Sequence, residues 1–266
     1  MPATAPILIE FDRVSMDFGP AKVLDQVSFQ VQKGETKVLL GEAGSGKSVA
    51  LKLAIGLLRP TGGTVRVLGE AVSTMPEPAL FELRRRIGMV FQESALFDSL
   101  TVRENVAYRL LEEGKLDDAA IEKRVRECLE VVELEEAIDK LPAELSGGMQ
   151  RRVSIARALA TEPEIMLYDS PTAGLDPITA TNIMEQIIKL RDLKQVTALM
   201  VTHRLQDGFM LASHCWDKTS NRLQPVQAET SHTSFLVLHQ RHAVFDGSAQ
   251  ELRASQDRYL RHFLGK

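Results

Sequence analysis

The sequence predicts an α/β chain with a mainly parallel sheet core, an antiparallel β part and an inserted helical subdomain. Three observations carry this. Short apolar runs at 164–168 ("EIMLY") and 197–201 ("TALMV") flank a helical stretch at 178–193, a β–α–β alternation. Neither run alternates apolar with polar residues, so both faces of each strand are expected in the core, as in a parallel sheet. The third is a glycine-rich segment, "GEAGSGKS" at 41–48, set between an apolar strand and a helical pattern.

Taken in order, "ILIEFDRV" (7–14), "VLDQVSFQV" (23–31) and "TKVLL" (36–40) read as strands, rich in Val, Ile, Leu and Phe with turn residues between them. After the glycine-rich loop, "SVALKLAIGLL" (48–58) is helical and is stopped by "RPTGG" (59–63). "TVRVLG" (64–69) is another short strand, and 76–145 turns mostly helical. There Ile121, Val125, Cys128, Leu129 and Val132 recur at spacings of three and four, one apolar helix face that belongs in the core. The segment 215–233 is polar and turn-rich, a loop or hairpin inserted before the strand "FLVLHQ" (235–240). "RYLRHFLGK" (258–266) reads as a short amphipathic helix. The expected organisation is a single domain, 1–266: a core of 1–90 and 155–250, a helical subdomain of 91–154, the polar insert and a C-terminal helix over 251–266.

Composition narrows the function. With 44% hydrophobic residues in 266, a core can be built without disulfides or metals. A net charge of −4 argues against a general nucleic-acid binder, so no nucleic-acid partner is expected. Cys128 and Cys215 are far apart and lack metal-ligand spacing, which suits a reducing compartment. "MPATAPILIEFDRV" does not read as a signal peptide. No window approaches 18 apolar residues, so any membrane role is expected to come through a partner.

The segment 41–48 fits G-x-x-x-x-G-K-[ST] in the strand–loop–helix context that this phosphate-binding motif requires. The fold class sharpens to a P-loop NTPase (RecA-like). Gly41, Glu42, Ala43, Gly44, Ser45, Gly46, Lys47, Ser48 and Val49 are the candidate nucleotide-binding residues. The glycines let backbone N–H groups point around an anion, and the helix N-terminus adds partial positive charge. Lys47 can reach terminal phosphates, and the Ser48 hydroxyl can ligate Mg²⁺. A bound magnesium nucleotide is the expected ligand.

A second glycine-bearing helix start, "AELSGGMQRRVSIARALA" (143–160), has Ser146 as a good N-cap followed by Gly147 and Gly148. On the same chain as the phosphate loop it resembles the signature motif of ABC transporter ATPases. The resemblance runs through nearly the whole chain in family order. Gln92 in "VFQESALFDSLTVREN" matches the Q-loop, "IMLYD" ending at Asp169 the Walker B strand, and Asp176 in "AGLDP" the D-loop. His203 in "MVTHR" matches the switch histidine, and Phe18 in "MDFGPAKVL" the aromatic that stacks on adenine. Met149, where many members have Gln, is a mild departure. The resemblance implies that ATP is the nucleotide and that Asp169, with Ser48 and Gln92, holds Mg²⁺. It implies that His203 donates to the γ-phosphate. It also implies that Ser146, Gly147 and Gly148 close over the nucleotide of the opposite subunit in a two-fold homodimer. A coiled-coil repair ATPase of the same superfamily would need sustained heptads between Gln92 and Ser146, and none is present.

One position departs from the family. Where a glutamate normally follows the Walker B aspartate and polarises the attacking water, this chain has Ser170, with both flanks in register. A serine hydroxyl can orient a water but is no base at neutral pH. Three readings stand open: a slow ATPase using Ser170, His203 and Gln92; a subunit that binds ATP but hardly hydrolyses it; or a heterodimer whose other chain supplies the glutamate. For cargo, "ALFDSLTVRENVAYRL" (95–110) resembles the Mla/Mce-type lipid transport ATPases of bacteria. That implies integral-membrane permease subunits, an Mce-domain lipid-binding protein, and a place on the cytoplasmic face of the bacterial inner membrane. The alternative is another import-type ABC system, for amino acids or other small solutes.

Overall fold

The computed structural model describes residues 5–226 and 232–265. The strands are β1 (Ile7–Phe18), β2 (Ala21–Gln32), β3 (Thr36–Gly41), β4 (Gly62–Val67), β5 (Glu70–Ala71), β6 (Ile87–Val90), β7 (Ile165–Asp169), β8 (Thr197–Val201), β9 (His214–Asp217), β10 (Arg222–Pro225), β11 (Thr233–His239) and β12 (His242–Ser248). The helices are α1 (Lys47–Ala54), α2 (Glu77–Arg85), α3 (Val102–Glu113), α4 (Asp118–Val131), α5 (Gly147–Leu159), α6 (Pro177–Lys194), α7 (Leu205–Ser213), α8 (Ala249–Ala254) and α9 (Arg258–Phe263).

A six-stranded sheet in the order β12-β11-β3-β8-β7-β6 forms the centre. Four of its five pairings are parallel, and β12 runs antiparallel to β11 at one edge. A second sheet, β2-β1-β4-β5, is antiparallel throughout. Two apolar cores flank the central sheet, and its strands feed them alternately. Val38, Leu40, Met166, Tyr168, Met200 and Val237 enter the core shared with α3 to α7. Leu39, Leu167, Leu199, Val201 and Leu236 enter the core shared with α1 and the antiparallel sheet. A period of two with both faces buried is why these strands show no polar alternation.

Helices α3, α4 and α5 pack on one another beside this core. Thr101 and Glu104 form a capping box at the start of α3, and Asp117 caps α4 by accepting from the Ala120 N–H at 2.8 Å. The five-residue apolar stripe of α4 and its C-terminus is buried throughout.

The structure differs from the sequence reading in three places and settles a fourth. β6 lies inside the stretch read as mostly helical; it is only four residues long and enters the sheet by tertiary pairing with β7. α1 stops at Ala54 because Gly56 takes φ +66, so the apolar run that follows is a turn. Of the two forms expected for the polar insert, loop or hairpin, the structure has the hairpin: β9 and β10 pair, and Asp217 sets the turn by accepting from the N–H groups of Thr219 and Ser220. That hairpin is tied to α6 by Trp216 N–H to Asp192 at 2.7 Å and by Lys189 over the Trp216 ring at 5.0 Å. The rest of the insert, 227–231, lies outside the described residues. In place of one helix over 251–266, the chain has α8 and α9, separated at 255–257, where Asp257 starts afresh as an N-cap.

Phe11 of β1 is 2% exposed and stacks on Phe29 of β2 at 4.4 Å between ring centroids. Phe11→Ala is expected to cost about 3–5 kcal/mol in a urea titration, from lost transfer energy and the cavity left behind. Ile178→Ala, at a side chain 76% exposed, is expected to stay within about 0.5 kcal/mol of the parent.

Candidate functional site

The site forms where parallel strands end. β3, β8, β7 and β6 are consecutive neighbours in the sheet and all point the same way, so their C-terminal ends share one edge. β3 delivers the glycine-rich loop, β6 delivers Gln92, β7 delivers Asp169 and Ser170, and β8 delivers His203. Ligand sites of open α/β sheets lie at this end of the strands. One cleft of about 300 Å³ is lined by Gly46, Lys47 and Ser48 together with Gln92, Ser170 and His203.

Within the loop, Gly46 is the N-cap of α1 at φ +95. A Cβ there would stand 2.6 Å from Leu24 and 3.1 Å from the Val23 carbonyl oxygen, so only glycine fits. No acidic residue occupies the first turn of α1, which leaves its N-terminal N–H groups and partial positive charge open to an anion. Lys47 is 8% exposed, and its ammonium donates to the carbonyls of Gly41 at 2.9 Å and Glu42 at 2.7 Å and to Ser45 Oγ at 3.3 Å. Burial pushes the Lys47 pKa down, and the nearby Asp169 and Glu42 carboxylates pull it back up.

Ser48 Oγ donates to Asp169 Oδ1 at 3.1 Å, so a hydroxyl and a carboxylate from two distant segments converge. Ser170 follows at φ +49, 7% exposed, with its N–H donating to the Val201 carbonyl at 2.8 Å. Its hydroxyl is 3.5 Å from Asp169 Oδ1, at the limit of a hydrogen bond. No carboxylate stands at this position.

Other residues singled out from the sequence lie elsewhere. Phe18, 47% exposed, sits at the turn joining β1 and β2 and is not on the wall of the cleft. Ser146 caps α5 by accepting from Met149 N–H at 3.3 Å. Gly148 faces α6, where a Cβ would come within 2.4 Å of Thr179, so close helix packing alone requires glycine there. These residues border a separate groove with Thr179, Gln186 and Trp216. Asp176 caps α6, accepting from the N–H groups of Ile178 and Thr179, and these hydrogen bonds, with that of the Thr179 side chain foremost, hold its pKa down.

Two arginines were not singled out. The Arg151 guanidinium, 4% exposed, donates to the carbonyls of Phe91 and Gln92. Arg157 donates to the carbonyls of Ala95 at 2.8 Å and Ser94 at 3.2 Å. Helix α5 therefore holds the backbone of the Gln92 loop from behind. The sequence signal was present: charged side chains inside an otherwise buried helix need partners.

The sequence profile of the family described as ABC transporter matches residues 24–173. The intermembrane phospholipid transport system ATP-binding protein MlaF of Escherichia coli (strain K12) is 34% identical over 257 residues, covering 97% of this chain and 88% of that protein. The methionine import ATP-binding protein MetN 2 of Paraburkholderia xenovorans (strain LB400) is 43% identical over 209 residues, 77% of this chain and 54% of that protein. Among solved structures, a dimeric ATP-binding cassette in a post-hydrolysis state, bound to ADP and phosphate, superposes with a TM-score of 0.75 at 30% identity, covering 91% of this chain and 98% of that one. The chain belongs to the ABC transporter family and is one of its ATPases.

Proposed function

We propose that this chain is the ATP-hydrolysing subunit of a transporter that moves phospholipid or a related lipid across the bacterial envelope. The observation that carries the cargo is the similarity to the phospholipid-transport relative, which runs through 97% of this chain and 88% of that protein. A small-solute importer is the second reading. It rests on higher identity to the methionine importer, 43%, over a shorter span, 77% of the chain. Purification of the native complex, followed by lipid extraction and mass analysis, separates the two. Co-purifying phospholipid with permease and an Mce-domain protein is the expected result; a complex free of lipid that binds methionine overturns it.

ATP would lie with its phosphates along the loop 41–48. Lys47 would exchange its three loop acceptors for phosphate oxygens. Ser48 and Asp169 offer hard oxygen donors 3.1 Å apart, with the Gln92 amide on the same cleft. Among the described residues no group of three or more His, Cys, Asp or Glu could hold a metal by itself. A donor set this sparse suits Mg²⁺, which takes few protein ligands and shares its shell with phosphates and water. Bound there, Mg²⁺ would neutralise charge on the phosphates.

His203 would donate to the γ-phosphate, and Ser170 would orient the attacking water. The rest of the catalysis is positioning and electrostatics, which phosphoryl transfer mostly relies on. The N-terminus of α5, with Ser146, Gly147 and Gly148, would face the nucleotide of a second copy, giving two ATP molecules in one isologous interface. Phe18 would stack on adenine, and Asp176 would sit at the dimer seam. No described helix is long and apolar enough to cross a membrane, so permease subunits would carry the cargo, with this subunit held at their cytoplasmic face.

Ser170→Glu is expected to raise turnover by about 10²-fold or more in a coupled phosphate-release assay, because a general base contributes roughly 10²–10⁴ in rate. Unchanged turnover would show that no base is missing. Removing divalent cations with EDTA is expected to abolish turnover and magnesium to restore it. Ser48→Ala is expected to raise the magnesium concentration needed for half-maximal rate, read as a titration at fixed ATP.

A further inference from the structure

Asp207 of α7 is a buried carboxylate with no place in the roles above. It is 3% exposed. Its Oδ2 accepts from Thr172 Oγ1 at 2.5 Å and from Thr202 Oγ1 at 3.0 Å. Its Oδ1 lies 3.6 Å from Arg204 Nε. Thr172 and Thr202 are themselves buried, at 0% and 1% exposed. Thr202 Oγ1 in turn accepts from the Arg204 N–H at 3.0 Å, which closes a tight turn around His203.

The placement of these partners is the point. Thr172 lies two residues after Ser170, and Thr202 immediately precedes His203. The β7–β8 ladder ends at the pair Asp169–Val201, and one further backbone bond, Ser170 N–H to Val201 O, continues it. Beyond that bond, among the described residues, no backbone hydrogen bond joins the two loops. The Asp207 carboxylate supplies the tie, one oxygen shared between both loops. Holding a carboxylate in a dry interior is unfavourable without such donors. Burial indeed pushes the Asp207 pKa up, while the hydroxyls of Thr172 and Thr202, Arg204 and His203 each favour the charged form. A spacer alone could have been built from apolar side chains at no such cost.

The geometry points to Asp207 as a positioning residue for ATP hydrolysis, one that fixes Ser170 and His203 relative to each other across the cleft without touching nucleotide. This rests on the roles proposed above for those two residues. A misplacement of the order of 1 Å far from the bond being broken can cost about a hundredfold in rate. Nucleotide binding, which depends on the loop 41–48, should be spared.

The test uses the full chain and four variants: Asp207→Asn, Thr202→Val, His203→Ala, and Asp207→Asn combined with His203→Ala. Asp207→Asn is expected to lower kcat by about tenfold to a hundredfold, with KM and the affinity for a fluorescent ATP analogue within about twofold of the parent. Thr202→Val, nearly isosteric, is expected to lower kcat in the same direction with an unchanged thermal melt, and it decides the matter if Asp207→Asn does not fold. In the double variant the two losses are expected not to add, since there is no pair left to align. Retained kcat in Asp207→Asn overturns the proposal, as does a parallel loss of affinity and kcat, or full additivity with His203→Ala. A His203→Ala chain that keeps its turnover overturns instead the role given to His203.

Discussion

The parallel ladder through β3, β8, β7 and β6 is the constraint on which the site depends. Side chains on each strand are locked by two cores, one on either face, so a slip of one residue would send every apolar group to the wrong side. That register, together with the common direction of the strands, fixes which residue emerges at each C-terminal end. The glycine-rich loop, Gln92, Asp169 with Ser170, and His203 are separated by up to 162 positions in the chain, yet all four leave neighbouring strands at one edge. The chemistry is thus assembled by backbone hydrogen bonds and apolar packing far more than by contacts among the site residues themselves.

Strand ends alone leave the loops beyond them free, and buried charge does the remaining work. Arg151 and Arg157 hold the Gln92 loop by its carbonyls from α5. Asp207 holds the loops after β7 and β8 by their hydroxyls from α7. In both cases an ion is taken out of water and repaid by several hydrogen bonds, an arrangement that contributes geometry more than net stability. Helix α5 carries its own exposed N-terminus at Ser146 while gripping the Gln92 loop through its middle.

Much of this was legible in the sequence. The phosphate loop is a local signal, because glycine placement, lysine and hydroxyl all fall within eight residues. The core strands were legible because burial on both faces makes them uniformly apolar. β6 was not, since four residues preceded by three arginines carry too little pattern and the strand exists only by pairing with β7. The split between α8 and α9 depends on the capping at Asp257, a signal that competes with the apolar spacing around it. Arg151 and Asp207 were hidden for a different reason. That a charge inside a largely apolar helix needs partners is a signal the sequence carries, but which partners it finds is not, since backbone carbonyls and threonine hydroxyls have no spacing that a linear pattern could reveal.

The serine after Asp169 gains a physical setting from the structure. Ser170 is not a solvent-facing substitution in a loose loop. It is 7% exposed at φ +49, tied by its N–H to β8, with Thr172 fixed two residues on. Among the described residues no carboxylate lines the cleft wall in place of the glutamate usual in the family. What the surrounding framework preserves is the direction in which residue 170 projects. Since catalysis of phosphoryl transfer draws chiefly on orientation and charge, a hydroxyl held in that direction can still order a water even where it cannot accept its proton. The same framework would hold a glutamate side chain along the same line, so the two residues differ in proton affinity and reach while sharing one scaffold.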